Sequence, residues 1–322
     1  MNIAIIGAGG IGCYYGARML SAGHKVSFIA RGAHLKAMQT DGLVVRHEDF
    51  QFSQVVDALS LQQLLSTRQC KEFDLIILAT KSGTTQQTIE QMKPWILAGE
   101  APVLSIQNGV MNEVTIDKLL GRHRTLGGLA VLIGGHIVEP GMVEVAGASH
   151  IELGAWPTCQ ENAFSQSQLN QWVTAFNQAG IPTTNFDDIQ YALWRKLIIN
   201  NGVNPLSALT WLDTQSLLND STLSENVYQM MIETARAANQ AGVQIAASDV
   251  DDMFKLIKGF DAIKTSMLVD REKGRPMEID DICGPVIHYC QQSGEPATVT
   301  ELIACTLNTV RSTKPKDEVC TS

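Results

Sequence analysis

No apolar run in the 322-residue chain reaches the ~18 residues that a membrane span requires, so neither a span nor a membrane partner is expected. The seven cysteines (Cys13, Cys70, Cys159, Cys283, Cys290, Cys305, Cys320) include no C-x-x-C pair and are odd in number. They read as free thiols of a reducing compartment, not as a disulfide framework. The seven histidines show neither H-x-x-x-H nor H-E-x-x-H, so no metal site is expected. There is no basic excess either. The net charge is −9, which argues against nucleic acid or an anionic membrane surface as partner. The N-terminus carries no basic stretch ahead of an apolar core, so a cytoplasmic location is expected. An anionic substrate would need positive charge supplied locally. What remains is an ordinary globular composition, 45% hydrophobic and 18% charged, with length enough for two domains.

The start of the chain, MNIAIIGAGGIG, is its most informative stretch. Asn2 to Ile6 is an isoleucine-rich run suited to a strand buried on both faces. Gly7, Gly9 and Gly12 follow in G-x-G-x-x-G spacing, and Ile11 to Leu20 has helical periodicity ending at Ala22-Gly23. In such a loop the first glycine makes a tight turn, and the second lets backbone approach a pyrophosphate. The third lets helix and strand pack closely, and the helix N-terminus adds partial positive charge. Gly7, Ala8, Gly9, Gly10, Ile11 and Gly12 are therefore the expected dinucleotide cradle. A second strand, Lys25 to Ile29, ends at Ala30-Arg31-Gly32, where NAD-binding chains place an acid for the ribose 2′-hydroxyl. Arg31 offers a guanidinium fork suited to a 2′-phosphate instead, which points to NADP; a solvated surface arginine is the plainer alternative.

Strand-like runs at Leu43–Arg46, Phe50–Val56, Phe73–Ala79, Pro102–Ile106 and Thr125–Leu132 alternate with helical patterns at Ala33–Thr40, Thr84–Leu97 and Glu113–Leu120. This is an α/β pattern, a Rossmann-like doubly wound parallel sheet. Ile137 to Leu153 reads as antiparallel hairpins at the sheet edge, Asn162 to Gln178 as a helix, and Ile181 to Asn185 as a last edge strand. Beyond Asp187 strand signals nearly vanish, and helices are expected at Ile189–Leu209, Ser224–Ala241, Val250–Ile257, Asp281–Ser293 and Val299–Arg311. Domains are thus expected at 1–186 and 187–322, the second all-helical with a tail frayed from 312. Lys81 and Asn108 follow the third and fourth core strands, where open α/β sheets bind ligands.

The segment WRKLIINNGVNPLSAL places Lys196, Asn200 and Asn204 at i, i+4 and i+8 on one helix face. A lysine and two amides among apolar residues suit reduction of a ketone, whose oxygen needs a proton donor while amides fix its direction. A solvated polar face is the alternative. Pro205 is expected to kink or open the helix near Asn204. Downstream, Ser266 and Glu278 read from the residues alone as a helical serine and a helix-start glutamate.

Together, GAGGIG, Arg31, Lys81 in ATKS, Asn108 in QNG, the K-x-x-x-N-x-x-x-N-P run, and TSML followed by E-I-D resemble the ketopantoate reductase family over nearly the whole chain. The resemblance implies NADPH-dependent reduction of 2-dehydropantoate to pantoate, toward pantothenate and coenzyme A. It implies Lys196 as proton donor, and Asn200 and Asn204 as binders of substrate hydroxyl and carbonyl. It further implies Ser266 on the substrate carboxylate, Glu278 orienting lysine or substrate, and Lys81 and Asn108 between cofactor and substrate. The partner is a small 2-keto acid, and the chain a monomer or homodimer. Another 2-keto acid reductase, a β-hydroxyacid dehydrogenase and a non-catalytic NADP-binding sensor are the competing readings. The departures from the family pattern are a long Asp49–Lys71 segment and Asn201-Gly202 within the polar helix.

Overall fold

A computed structural model describes residues 1–157 and 164–310. Cys159, Cys320, the expected helix start at Asn162 and the expected frayed tail lie outside those residues. The chain divides into two compact units, Met1–Leu193 and a second beginning at Trp194.

The first unit contains strands β1 (Asn2–Ile6), β2 (Lys25–Ile29), β3 (Leu43–His47), β4 (Phe50–Gln54), β5 (Asp57–Leu59), β6 (Leu75–Leu78), β7 (Val103–Ser105), β8 (Thr125–Val131), β9 (Gly134–Glu139), β10 (Met142–Ala146), β11 (His150–Ala155) and β12 (Thr183–Asn185). Its helices are α1 (Gly10–Ser21), α2 (Gly32–Thr40), α3 (Leu61–Thr67), α4 (Thr85–Ile96), α5 (Asn112–Leu120) and α6 (Gln166–Gln178). The main sheet has eight strands in the order β12-β11-β8-β7-β6-β1-β2-β5. Six of them, from β5 to β8, run parallel; β11 pairs antiparallel with β8, and β12 follows β11 in parallel.

Both faces of this sheet are covered, which explains the unbroken apolar runs of its central strands at Ile3–Ile6 and Leu75–Leu78. Side chains alternate along β1, so Ile3 and Ile5 join a core with α1 and α6, while Ala4 and Ile6 join one with α3, α4 and α5. The sheet departs from expectation at one place. β9 and β10 are a hairpin, but they are not at the edge of the main sheet. They form a separate four-stranded sheet, β4-β3-β10-β9, in which β10 pairs parallel with β3. Gly141 (φ +81) makes the hairpin turn, and Gly147 (φ +104) carries the chain back toward β11. A Cβ on Gly147 would lie 2.2 Å from the Leu132 carbonyl oxygen, so only glycine allows that return. The apolar face of this small sheet, including Leu43, Val45, Val143 and Val145, packs into the same core as α1.

The second unit is helical among its described residues. It continues α7 (Ile189–Thr210), then α8 (Thr214–Asn219), α9 (Ser221–Gln240), α10 (Ala247–Lys258), α11 (Ser266–Glu272), α12 (Ile279–Gln292) and α13 (Thr298–Thr309). The opening expected near Pro205 does not occur: α7 is assigned helical throughout Ile189–Thr210 with Pro205 inside it. Pro205 still lacks an N–H, so the Asn201 carbonyl has no i+4 donor. Gly202 has a packing reason, because a Cβ there would stand 2.8 Å from Met231 Cγ on α9. Among the described residues no helix is long and apolar enough to cross a membrane.

Candidate active site

The register of the first unit brings four loops to one sheet edge. Ile6 pairs with Ile29 of β2 and Leu78 of β6, and Leu78 pairs with Ser105 of β7. Gly7–Gly12, Arg31, Lys81 and Asn108 therefore follow the carboxyl ends of adjacent parallel strands. The strand order reverses at β1, with β2 on one side and β6 on the other, and ligands bind outside the carboxyl ends at such a switch point.

The glycine loop divides its amides between scaffold and ligand. Gly7 N and Ala8 N both donate to the Ile29 carbonyl, at 3.1 and 2.8 Å, which ties the loop to β2. No side chain caps α1, so its first amides have no intrahelical acceptor and are available to an anion. A Cβ on Gly12 would lie 2.3 Å from Gly7 O, and one on Gly7 2.7 Å from Thr80 N; both are packing glycines. Gly9 differs. No protein atom lies within 4 Å of the place its Cβ would occupy, so the space above it is open to a ligand. Gly10, by contrast, is backed by the second sheet, where a Cβ would stand 2.2 Å from the Gly135 carbonyl carbon. These features fit a dinucleotide pyrophosphate. Arg31 is exposed at the N-terminus of α2, and its guanidinium meets no carboxylate among the described residues.

Sequence reasoning missed the residues that set the other two loops. Gln107 is buried, and its Nε2 donates to Thr80 O (2.8 Å) and to Thr85 Oγ1 (3.0 Å). Thr85 Oγ1 donates in turn to Asn112 Oδ1 (2.8 Å), while Ser82 Oγ and Asn112 Nδ2 donate to the Asn108 carbonyl at 2.9 and 2.8 Å. The Lys81 and Asn108 loops are thus one hydrogen-bonded unit. Its only sequence signal is that Gln107, Asn112 and Thr85 are polar residues next to apolar strand ends and a helix start.

Glu113, on the first turn of α5, is fully buried, and no hydrogen bond reaches either carboxyl oxygen. Burial pushes this carboxyl up to about 8; its own backbone amide, the Ser105 hydroxyl and the Gly128 amide lie nearby without hydrogen-bonding geometry and pull more weakly in the opposite direction. Cys13 Sγ lies 3.6 Å from His34 Nε2, but burial raises the thiol and lowers the imidazole, so the pair is no thiolate nucleophile.

In the second unit, Lys196 and Asn200 are half-buried and Asn204 is buried, all on α7. No hydrogen bond to another described residue engages the Asn200 or Asn204 amide. Ser266 is exposed as the first residue of α11, whose N-cap is Thr265. Thr265 Oγ1 donates to Ser207 Oγ on α7 at 3.2 Å, and Arg271 of α11 donates to the Ala208 and Leu209 carbonyls at the end of α7. Arg271 also stacks on Trp211, 4.6 Å from the ring centre. The amide face of α7 and the Ser266 end of α11 are therefore held together. Glu278 is half-buried at the N-cap of α12. Among the described residues no three His, Cys, Asp or Glu side chains are grouped to hold a metal.

Residues 3–158 match the model of the ketopantoate reductase PanE/ApbA family, and residues 188–311 match the model of that family's C-terminal portion. A 2-dehydropantoate 2-reductase of Pyrococcus horikoshii is 30% identical over 292 residues, covering 90% of this chain and 91% of its own. The crystal structure of 2-dehydropantoate 2-reductase from Geobacter metallireducens superimposes with a TM-score of 0.84 at 30% identity, covering 96% of this chain and all (100%) of its own. A D-mandelate dehydrogenase solved with NADH and anilino(oxo)acetate shares the fold, with a TM-score of 0.85 at 21% identity over 97% of this chain and 98% of its own.

Proposed function

Because the chain belongs to the ketopantoate reductase family, and is thus an oxidoreductase of CH–OH groups working with a nicotinamide cofactor, we propose that it reduces 2-dehydropantoate to pantoate with NADPH. The product would feed pantothenate and coenzyme A synthesis. The observation that carries the reading is the face of α7. Two amides beside a lysine make no hydrogen bond to the described scaffold, in a helix otherwise given to the core.

The balanced reaction is ketone plus NADPH plus a proton to alcohol plus NADP⁺. The nicotinamide, when bound, supplies hydride to the keto carbon. The amides opening α1 and the open space above Gly9 hold the pyrophosphate, and Arg31 holds the 2′-phosphate. Lys81 and Asn108 orient the nicotinamide side of the cofactor and the substrate. As negative charge builds on the carbonyl oxygen, Lys196 Nζ transfers its proton there. Asn200 and Asn204 donate to the hydroxyl and carbonyl oxygens, which directs the ketone before reaction and stabilises the developing alkoxide. Ser266 donates to the carboxylate, and Glu278 orients Lys196.

Purified protein should oxidise NADPH in the presence of 2-dehydropantoate, and more slowly with other 2-keto acids. Lys196→Ala should lose kcat by about 10²–10⁴-fold, the range of a lost general acid, while NADPH still binds by fluorescence titration. Wild-type turnover in that variant would refute the role.

A further inference from the structure

Beside the polar face of α7 lies a second set of polar groups that the reaction does not use. Glu233 of α9 is 1% exposed, and its carboxylate takes three donors from the start of α13. Val299 N donates to Oε1 at 3.0 Å, while Thr300 N and Thr300 Oγ1 donate to Oε2 at 2.9 and 2.7 Å. Helix α13 has Ala297 at its N-cap and no side-chain cap, so a neighbouring helix satisfies its first amides. The Thr300 hydroxyl proton is thereby committed, and its oxygen can only accept. It accepts from Asn201 Nδ2 at 3.1 Å. Thr234 Oγ1 gives its proton to Met230 O at 2.8 Å and likewise accepts from Asn201 Nδ2, at 3.0 Å.

These commitments leave the Asn201 amide one orientation. Its NH2 end must face the two hydroxyl oxygens, because a flipped amide would set Oδ1 against two lone pairs. Oδ1 then lies buried with no partner, and Pro205 has already removed the donor for the Asn201 carbonyl. An unfilled buried acceptor costs stability, and an apolar residue of similar size would avoid that cost. An arrangement serving stability alone would not keep it. At about 100° of rotation per residue, Gly202 falls on the side of α7 roughly opposite Asn200, while Asn201 lies about 100° round from Asn200 and about 60° from Asn204, flanking the Lys196–Asn200–Asn204 face. Gly202 sets how closely α7 approaches α9.

We propose that the chain of hydrogen bonds from Glu233 through Thr300 to Asn201 is a positioning device, which fixes the rotation of α7 and so aims its Lys196–Asn200–Asn204 face. The inference rests on the reading of that face as catalytic. Thr300→Val removes the hydroxyl with little change of shape, Asn201→Leu removes the amide and its unfilled acceptor together, and Thr300→Ser keeps the hydroxyl. At 25 °C Thr300→Val and Asn201→Leu should each lower kcat about tenfold with KM for NADPH unchanged, because sub-ångström misplacement of reacting groups is costly. The double variant should lose no more than either single one, since one relay is broken in each case. Thr300→Ser should restore kcat to within about twofold of the parent. Asn201→Leu should melt no lower than the parent.

Wild-type kcat in both Thr300→Val and Asn201→Leu would overturn the proposal, as would a lower Tm accompanied by unchanged kcat per folded molecule. Hydrogen exchange of the 196–204 amides separates this inference from the substrate assignment. If the parent fails to reduce 2-dehydropantoate, faster exchange in Thr300→Val still supports the relay, and unchanged exchange discards it.

Discussion

Gly9 and Gly12 carry the same side chain, a hydrogen, for opposite reasons. Alanine at 12 would drive its Cβ into the Gly7 carbonyl, a backbone atom that cannot swing aside. Gly12→Ala should therefore destabilise the fold by about 1–3 kcal/mol, the usual cost of overpacking, and show it as a lower denaturant midpoint. Alanine at 9 meets no protein atom, so Gly9→Ala should melt like the parent while KM for NADPH rises at least tenfold; an unchanged KM would place the pyrophosphate elsewhere. Arg31→Ala should raise KM for NADPH and leave that for NADH nearly unchanged, and equal effects on both would remove its phosphate role. Glu113 sets a pH dependence of the opposite sense to most carboxylates. Its ordinary value is near 4.5 and its folded value about 8, so between those limits the folded protein holds a proton that the unfolded chain has released. Stability contributed this way declines as pH rises through that window and levels off above it. Glu113→Gln abolishes the effect, so its Tm relative to the parent should climb from pH 5 to pH 8; a constant difference would mean the carboxyl is already charged.

Among elements, those on which two constraints agree are the most legible in the sequence. The buried strands were legible because residues covered on both faces leave unbroken apolar runs, as in Ile3–Ile6 and Leu75–Leu78. Helix starts were read less well from apolar periodicity, since caps decide them. Helix α6 begins after Ser165, whose hydroxyl accepts from Gln168 N while Gln168 returns a bond, and α9 begins after Asp220, not at Ser224. Both caps stood in the sequence as S-x-x-Q and D-x-x-L. Ser165→Ala should cost about 1 kcal/mol in chemical denaturation and leave kcat unaltered. Pro205 removes one donor without ending α7, because the buried side chains around it hold the helix together. The second sheet was illegible for a different reason: β10 pairs with β3 across about a hundred residues, and no local pattern encodes a partner so distant.

At the scale of the whole molecule, an acidic chain of net charge −9 must place its cations where anions bind. In the proposed assignments Arg31 in the first unit is the cation that serves the cofactor, while Ser266 in the second meets the keto acid as a neutral hydrogen-bond donor. Single losses in kcat/KM from Arg31→Ala and Ser266→Ala should therefore add to within about 0.5 kcal/mol in the double variant, since each touches a different ligand. Strong non-additivity would mean the two residues share one. The motif residues were readable in the linear chain because their spacing is local. Gln107 and the Asn201–Thr300–Glu233 relay were not, because their partners come from distant segments. The same distance hides Gly135. It faces Gly10 closely: a Cβ on Gly10 would lie 2.2 Å from Gly135 C, and one on Gly135 3.1 Å from Gly10 C, tight enough that neighbouring atoms would have to give. For protein engineering, this makes the nucleotide loop a two-piece module. A chimera that transplants residues 7–12 from a relative without residues 134–136 should inherit the motif yet misfit its own backing, whereas exchanging both pieces should preserve cofactor affinity.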